Sequence, residues 1–214
     1  AGLMFTPNDH FTLGFNYRSL INIESTEGTA TFSNFPNSSL TPNNGDTSFT
    51  ATLPLPAELT VGMSYKWDKF LVAFDYNRAF WSEYNSLDLE FGNGSTSVNP
   101  RNYKDSSTWR LGAQYEATEK LTVRAGYYFD ESPVQSGYFA PETPRNDSNG
   151  YTFGLSYQLN PKLSIDGSFL FLQFQEITES YDFFSDTGSP VPAPFEGTYK
   201  SSAFIAGLGI TYSM

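Results

Sequence analysis

The sequence of 214 residues contains no cysteine and only one histidine. The lack of cysteine excludes disulfides, thiol chemistry and cysteine-ligated metal sites, and no histidine and carboxylate cluster has metal-ligand spacing. Basic residues are also scarce, because 12 Lys and Arg stand against 23 Asp and Glu and give a formal net charge of -11. Such a chain offers no basic stripe to phosphates, and we therefore expect no nucleic-acid partner.

Long apolar runs are missing as well. No stretch approaches the roughly 18 consecutive apolar residues that a transmembrane helix requires. Mean hydropathy is only -0.38, yet aromatic residues make up 17% of the chain. A low mean hydropathy is compatible with a membrane barrel, because a barrel strand exposes only every second residue to lipid.

What the sequence does contain is a recurrent short pattern in which a tyrosine follows a glycine within three residues. Each copy lies in a run where apolar and polar residues alternate with a period of two, with glycine on the small, polar face and tyrosine on the apolar face. Aromatic side chains near strand ends are typical of strands whose apolar face meets lipid. The pattern predicts an all-β fold, an antiparallel transmembrane β-barrel. The copies are Gly14–Tyr17, Gly62–Tyr65, Gly112–Tyr115, Gly126–Tyr128, Gly154–Tyr157 and Gly209–Tyr212.

Eight strand-like runs are separated by connections of alternating length. Short turns are predicted at Asp68-Lys69, Glu116 to Lys120 and Asn160 to Lys162, and long polar segments at about 22–48, 92–106, 131–149 and 178–197. Outer-membrane barrels have tight periplasmic turns and long extracellular loops, so this alternation supports the same fold. The predicted runs cover about 10–21, 49–67, 70–76, 109–115, 121–129, 151–159, 163–171 and 204–214.

Strand-like sequence is found at both ends of the chain. Ala1 to Phe5 resemble the end of a further strand, and we expect residues 1–214 to form a single barrel domain or a barrel segment of a longer protein. The last run alternates cleanly to Met214. A terminal strand of that kind resembles the signal that the barrel-insertion machinery recognises.

The opposite phase of each run gives the predicted inner face of the barrel. Many of its residues are Gly, Ser or Thr, which would leave voids in a closed eight-stranded barrel, so we expect either further strands or a segment that fills the interior. Run seven is apolar on both faces in its upper part, which suits a hydrophobic ligand; packing against a loop or plug is the alternative. The candidate ligand-binding residues are Arg18, Arg110, Arg124, Tyr128, Leu170, Leu172 and Phe174.

The arginines on this face are candidate anchors for a ligand carboxylate, because a planar guanidinium binds both oxygens. If the hairpins are symmetric about their turns, Arg110 lies opposite Gly126 and Arg124 lies opposite Gly112, and each side chain has room to reach across. The alternative is a structural network with inner-face carboxylates, namely Asp75, Asp130 or Asp166.

Several motifs resemble the C-terminal half of the FadL/TodX/OmpP1 family of outer-membrane transporters for hydrophobic compounds. The strongest is the block from Trp109 to Tyr115 and from Leu121 to Tyr127, which continues to Asp130-Glu131-Ser132-Pro133-Val134. Tyr17-Arg18-Ser19, Leu53-Pro54-Leu55-Pro56 and Trp81-Ser82 add weaker matches.

The resemblance implies a fourteen-stranded barrel with an N-terminal hatch, of which this chain resembles about the last eight strands. It also implies passive uptake of long-chain fatty acids or aromatic hydrocarbons, without an energy source or cofactor, in the bacterial outer membrane. The expected partners are hydrophobic small molecules, outer-membrane lipid and lipopolysaccharide, and the barrel-insertion machinery during biogenesis.

Three other interpretations remain open. An outer-membrane enzyme would need a nucleophile with a general base, and the only histidine, His10, lies beside the first turn, away from the outer leaflet; we therefore expect no enzyme. A self-contained eight-stranded barrel could serve as a structural anchor or adhesin. A soluble lipid-binding barrel would bury the apolar face, but long loops at one end alone disfavour it.

Overall fold

The computed structural model describes residues 1–34, 45–140, 145–183 and 190–212, and these form an all-β protein with one short 3-10 turn at Trp81–Glu83. No helix in those ranges is long and apolar enough to cross a membrane. The strands are β1 Gly2–Phe5, β2 Phe11–Arg18, β3 Ile21–Phe32, β4 Gly45–Leu55, β5 Glu58–Trp67, β6 Phe70–Ala79, β7 Leu89–Phe91, β8 Thr96–Ser97, β9 Ser106–Glu116, β10 Leu121–Asp130, β11 Ser148–Asn160, β12 Leu163–Phe174, β13 Ile177–Phe183, β14 Pro190–Tyr199 and β15 Ser202–Tyr212.

The main sheet contains nine antiparallel strands in the order β1-β2-β5-β6-β9-β10-β11-β12-β15. It confirms the eight predicted runs and the short strand at the start of the chain. The predicted run 49–67 is divided, however, because β4 ends at Leu55 and β5 begins at Glu58. Pro56 lies at the break, and a proline has no N–H with which to continue a strand ladder. The last strand ends at Tyr212, and Met214 lies outside the described residues.

Tight turns join the strands at one end of the sheet. Asp68 takes a positive φ of 50° between β5 and β6. The Thr118 hydroxyl accepts hydrogen bonds from the backbone N–H of Lys120 and Leu121 at 3.2 and 3.0 Å in the next turn. The Asn160 side chain accepts one from the Lys162 N–H at 2.9 Å. These side chains satisfy the turn backbone locally, and the predicted short turns are confirmed.

The opposite end carries the long connections, and two of them are more ordered than the sequence suggested. Strands β3 and β4 pair over most of the segment predicted as a loop at 22–48, and β13 and β14 pair within the one at 178–197. The long polar connections are thus present, but the hairpins within them were not predicted; β-branched and aromatic residues alternate in both segments and favour hairpins that extend the barrel strands. Residues 35–44, 141–144 and 184–189 lie outside the description.

The main sheet has two chemically different faces. One carries ladders of aromatic rings, with centroids 4.4 Å apart for Phe70 and Tyr115 and 4.7 Å for Phe171 and Phe204. These apolar side chains are exposed: Trp67 is 68% accessible and Leu208 is 92% accessible. An extended exposed aromatic face is costly in water but suits lipid contact, so the outward phase predicted from the sequence is confirmed.

Burial is concentrated among the long connections instead. Of the described hydrophobic residues, the buried ones are Ala79, Tyr84, Phe139 and Ala140. Phe139 is only 1% accessible, and its ring centroid lies 4.7 Å from that of Tyr199 in β14. The chain between β10 and β11 is therefore anchored on the base of the β13–β14 hairpin.

Hydrogen bonds connect the same long segments to one another. The Tyr181 hydroxyl donates to the Pro100 carbonyl at 3.0 Å, and the Lys104 N–H donates to the Pro133 carbonyl at 2.9 Å. Ser136 donates to Glu179 at 2.9 Å. Three connections, from β6 to β9, from β10 to β11 and from β12 to β15, thus hold one another in place above the sheet.

Candidate functional site

The face opposite the aromatic ladders is concave and borders an open space of about 810 Å³. Its lining comes from β2, β5, β6, β9, β10, β11, β12 and β15, so nearly the whole width of the sheet contributes. The glycines of the recurrent pattern mostly lie on this face, as predicted from their phase. The lining glycines are Gly14, Gly62, Gly112, Gly126, Gly154 and Gly207.

Strand register arranges the inner face in rows that cross the sheet. One row contains no charged side chain, and we call it the uncharged row. Most of its side chains are small, and they become larger and apolar at β12 and β15. Charged groups lie in the rows on either side. The uncharged row consists of Thr12, Ser64, Ala73, Gly112, Gly126, Thr152, Leu170 and Ile205.

Two neighbouring glycines in this row differ in the room around them. A Cβ built on Gly112 would meet only the Ala125 carbonyl oxygen, at 4.0 Å. A Cβ on Gly126 would lie 2.7 Å from the Thr152 hydroxyl oxygen and 3.2 Å from the Leu111 carbonyl oxygen. The space above Gly112 is therefore open to the concave face, whereas the neighbours of Gly126 already occupy its surroundings.

An apolar wall lies at the β10–β12 side of the space. Tyr128 is opposite Gly150 in the register, and a Cβ built on Gly150 would overlap the Tyr128 ring. The ring thus lies flat across the glycine and reaches toward Leu172, the next residue in the row. Leu170 and Ile205 pair one row closer to the tight turns. We call these neighbouring residues of the register, Tyr128, Leu170, Leu172 and Ile205, the apolar wall.

The hairpin between β9 and β10 has a different register from the symmetric one expected. Arg110 lies opposite Tyr128, and Arg124 lies opposite Gln114, so the predicted glycine partners were wrong. Glu116 pairs with Thr122, which centres the turn one residue later than assumed. A shift of one residue at the centre moves every cross-strand partner by two positions and keeps the face unchanged.

Two of the three candidate arginines have direct carboxylate partners. Arg110 Nη1 lies 2.8 Å from Asp75 Oδ1, and Arg18 Nη2 lies 2.8 Å from Glu58 Oε1. Asp75 is one of the carboxylates named in the alternative of a structural network, whereas Glu58 is not. Both pairs are substantially exposed in this open sheet, so each stabilises the fold only weakly.

Arg124 is bound differently. Its Nε donates to Gln114 Oε1 at 2.8 Å, and its Nη1 donates to Ser156 Oγ at 2.5 Å. Ser156 in turn donates to Asp166 Oδ1. Two neutral partners therefore fix the guanidinium, and the nearest carboxylate in this network is separated from it by one hydroxyl.

The structure brings together four of the seven predicted site residues. Arg110, Arg124, Tyr128 and Leu170 line the concave space. Leu172 continues the same wall. The remaining two lie at its margins, since Phe174 pairs with Ser148 near the long connections and Arg18 lies on β2, far across the sheet. Ile205 was not among the predicted site residues, although its inward phase on β15 was visible in the sequence.

Other groups with potential chemistry contribute little here. His10 is exposed, and its Nδ1 lies 2.9 Å from the Lys66 carbonyl oxygen. Within the described ranges, no group of three or more His, Cys, Asp or Glu residues could hold a metal ion. Asp105, which lies outside the sheet, has a shifted pKa. Burial raises its pKa, but hydrogen bonds from Ser82 and the charge of Arg78 outweigh this and lower the pKa below its ordinary value of 3.8.

Comparison with known proteins identifies the family. Residues 1–214 match the family described as outer membrane protein transport protein (OMPP1/FadL/TodX). The chain belongs to this family. It is 31% identical over 219 residues to outer membrane protein P1 of Haemophilus influenzae, covering 100% of this chain and 46% of the relative. It is 24% identical to the long-chain fatty acid transport protein of Escherichia coli K12, covering 100% of this chain and 47% of that protein.

Solved structures of the OMPP1/FadL/TodX family have the same fold. A FadL homologue from Pseudomonas aeruginosa aligns with a TM-score of 0.84 at 22% identity, over 99% of this chain and 51% of that one. The toluene transporter TodX of P. putida aligns with a TM-score of 0.65 at 21% identity, over 99% of this chain and 48% of that one. The chain spans about half the length of these relatives. Its family and the names of its relatives assign it to the bacterial outer membrane.

Proposed function

We propose that the protein takes part in the passive uptake of hydrophobic molecules, such as long-chain fatty acids or aromatic hydrocarbons, across the outer membrane. The observation that carries this proposal is the concave inner face, where open glycines lie beside an apolar wall in a space of about 810 Å³. Because the chain spans about half the length of its relatives, the proposal concerns the whole protein, with this chain forming part of the wall of the channel.

The residues proposed to contact the transported molecule follow from the same surface. Tyr128, Leu170, Leu172 and Phe174 would receive its apolar part, and apolar contact favours a hydrophobic molecule over a hydrated ion. Arg18, Arg110 and Arg124 are proposed as polar contacts along the wall. Arg18 would contribute least, because it lies at the far side of the sheet and is paired with Glu58.

The outward face supports the other proposed partners. Its exposed aromatic ladders would contact outer-membrane lipid and lipopolysaccharide, and the alternating terminal strand β15 would be recognised by the barrel-insertion machinery. We propose neither an enzyme nor a cofactor, since uptake by diffusion through a channel of this kind needs no chemical step. The glycine-rich inner face also favours a channel over a filled eight-stranded anchor or adhesin, whose interior would be packed with side chains.

Uptake by living cells tests this proposal. The full-length protein that contains this chain would be produced in cells that lack their own transporter of this kind, and the entry of a labelled long-chain alcohol would be followed. We expect faster entry than in cells without the protein, whereas the entry of a small hydrophilic sugar stays unchanged. Equal entry of the alcohol in both strains would overturn the proposal.

A further inference from the structure

The inner face distinguishes its arginines by the charge of their partners. The Arg110 guanidinium contacts the Asp75 carboxylate directly, so the pair is electrically neutral. The Arg124 guanidinium contacts the amide oxygen of Gln114 and the hydroxyl of Ser156 instead. In the part of the chain that the structure describes, its Nη2 makes no hydrogen bond. Arg124 therefore keeps both a positive charge and free donors toward the concave space.

The neutral partners also hold this charge in a defined position. Gln114 on β9 and Ser156 on β11 bind the guanidinium from both neighbouring strands, which fixes its plane over β10. The Ser156 hydroxyl donates a hydrogen bond to Asp166 on its other side, so it separates that carboxylate from the Arg124 guanidinium. A guanidinium held in this way can receive a carboxylate with little further ordering, and such charge-assisted hydrogen bonds are roughly twice as strong as neutral ones.

The surroundings of Arg124 suit a molecule with one acidic end. Gly154 is the cross-strand neighbour of Arg124 and leaves the inner face beside the guanidinium open. A Cβ built on Gly154 would have the Arg124 Cβ as its nearest atom, at 3.6 Å, which is an ordinary contact. Tyr128 lies four residues further along β10, which corresponds to about 13 Å along the strand. The apolar wall of Tyr128, Leu170 and Ile205 thus begins within reach of an alkyl tail whose acidic head lies at Arg124.

We propose that Arg124 is a specificity-determining residue that favours molecules with a carboxylate head over neutral molecules of the same length. Gln114 and Ser156 act as positioning residues for it. Arg110, on the same face, does not take this role, because Asp75 already neutralises it. The inference rests on the proposed channel function and adds to it the residue that distinguishes the two kinds of cargo.

A matched pair of probes, one acidic and one neutral, tests whether Arg124 favours carboxylate cargo. The entry rates of labelled decanoate and decanol, which share a chain length, would be measured at pH 7, where the carboxylic acid is ionised. The full-length protein would be compared with its R124Q and R124K variants. The control is K162Q, which removes one positive charge from the tight turn between β11 and β12, away from the concave space. Heat-dependent electrophoretic mobility would verify that each variant forms a folded barrel.

We expect R124Q to slow decanoate entry by about tenfold, the effect of losing one charge-assisted hydrogen bond, and to leave decanol entry unchanged. R124K should retain part of the preference for decanoate, and K162Q should retain all of it. An equal loss for both probes in a folded R124Q barrel, or no loss for either, would overturn the role of Arg124 while leaving the channel intact. If neither probe enters faster with the wild-type protein than without it, the channel proposal fails and this inference fails with it.

Discussion

Replacement of Gly112 by phenylalanine should obstruct the concave face without unfolding the sheet. A Cβ at this position would have the Ala125 carbonyl oxygen, at 4.0 Å, as its nearest neighbour, so the backbone can accept a side chain. The ring would project into the space of about 810 Å³ and cross the path beside the apolar wall. Forcing a molecule past such a ring should cost about 1–3 kcal/mol, similar to overpacking a protein interior.

The adjacent residue supplies a matched control. Ala113 follows Gly112 in β9, and its side chain points to the opposite, lipid-facing side because side chains alternate along a strand. Uptake of a labelled long-chain alcohol by cells with the full-length protein is the assay. We expect G112F to reduce the protein-dependent rate by about five- to 150-fold, since each 1.4 kcal/mol corresponds to a factor of ten, and A113F to leave it unchanged.

Folding has to be verified separately, and heat-dependent mobility in electrophoresis does so for both variants. A third variant, G126F, should fold poorly, because its Cβ would lie 2.7 Å from the Thr152 hydroxyl oxygen. If folded G112F transported as fast as the wild type while A113F was impaired, the assignment of the two faces would be refuted.

Three further predictions concern the wall and the long connections. Gly150→Ala should destabilise the barrel by about 1–3 kcal/mol, because the new methyl group overlaps the Tyr128 ring. Adding Tyr128→Ala should recover most of that loss, as measured by denaturant titration of both variants. Additive effects of the two substitutions would mean that the ring does not lie over the glycine. Phe139→Ala should cost about 3–5 kcal/mol locally and increase hydrogen exchange in residues 131–140, with no change in β9 and β10; unaltered exchange there would mean that the ring is not an anchor. The lowered pKa of Asp105 means that its contacts with Ser82 and Arg78 contribute their full stability above pH 3.8, and that this stability is lost as the pH falls through the lower pKa of the folded state. Hydrogen exchange in residues 80–105 of the wild type should therefore rise once the pH is below the folded pKa. Asp105→Asn should show fast exchange already at pH 7.

Much of the sheet follows directly from the sequence. Alternation with a period of two defines which residues share a face, and this is why Gly112 and Tyr115 were correctly placed on opposite sides. The two-residue turn at Asp68-Lys69 and the turn before Leu163 were recognisable from their residue types. These features depend on neighbouring residues only, so a single sequence contains the information that determines them.

The features that could not be predicted depend on register and on contacts between distant segments. The centre of the β9–β10 turn depends on how Thr118 binds the backbone, and a shift of one residue there gives Arg124 a different partner. Consequently, the difference between the neutralised Arg110 and the accessible Arg124 was invisible in the sequence. The contact of Phe139 with Tyr199 joins residues 60 positions apart, and no local pattern indicates it.

The pairing of the long connections illustrates the same limit in another way. Polar residues in the segment 22–48 suggested a loop, but β3 continues directly beyond β2 and pairs with β4. Polar residues on both faces are expected for a hairpin that extends into water, because neither face then needs an apolar surface. The composition that indicates a loop is therefore also the composition of an exposed hairpin.

The central claim is that hydrophobic molecules travel along the inner face. Photolabelling tests it most directly: the full-length protein in outer-membrane vesicles would be exposed to a long-chain alcohol that carries a diazirine, irradiated, digested and mapped by mass spectrometry. We predict label on Tyr128, Leu170 and Ile205 that an excess of unlabelled alcohol removes, together with label on the outward aromatic residues that the excess leaves in place. Label confined to outward residues would contradict the account, because the molecule would then reach only the lipid-facing side.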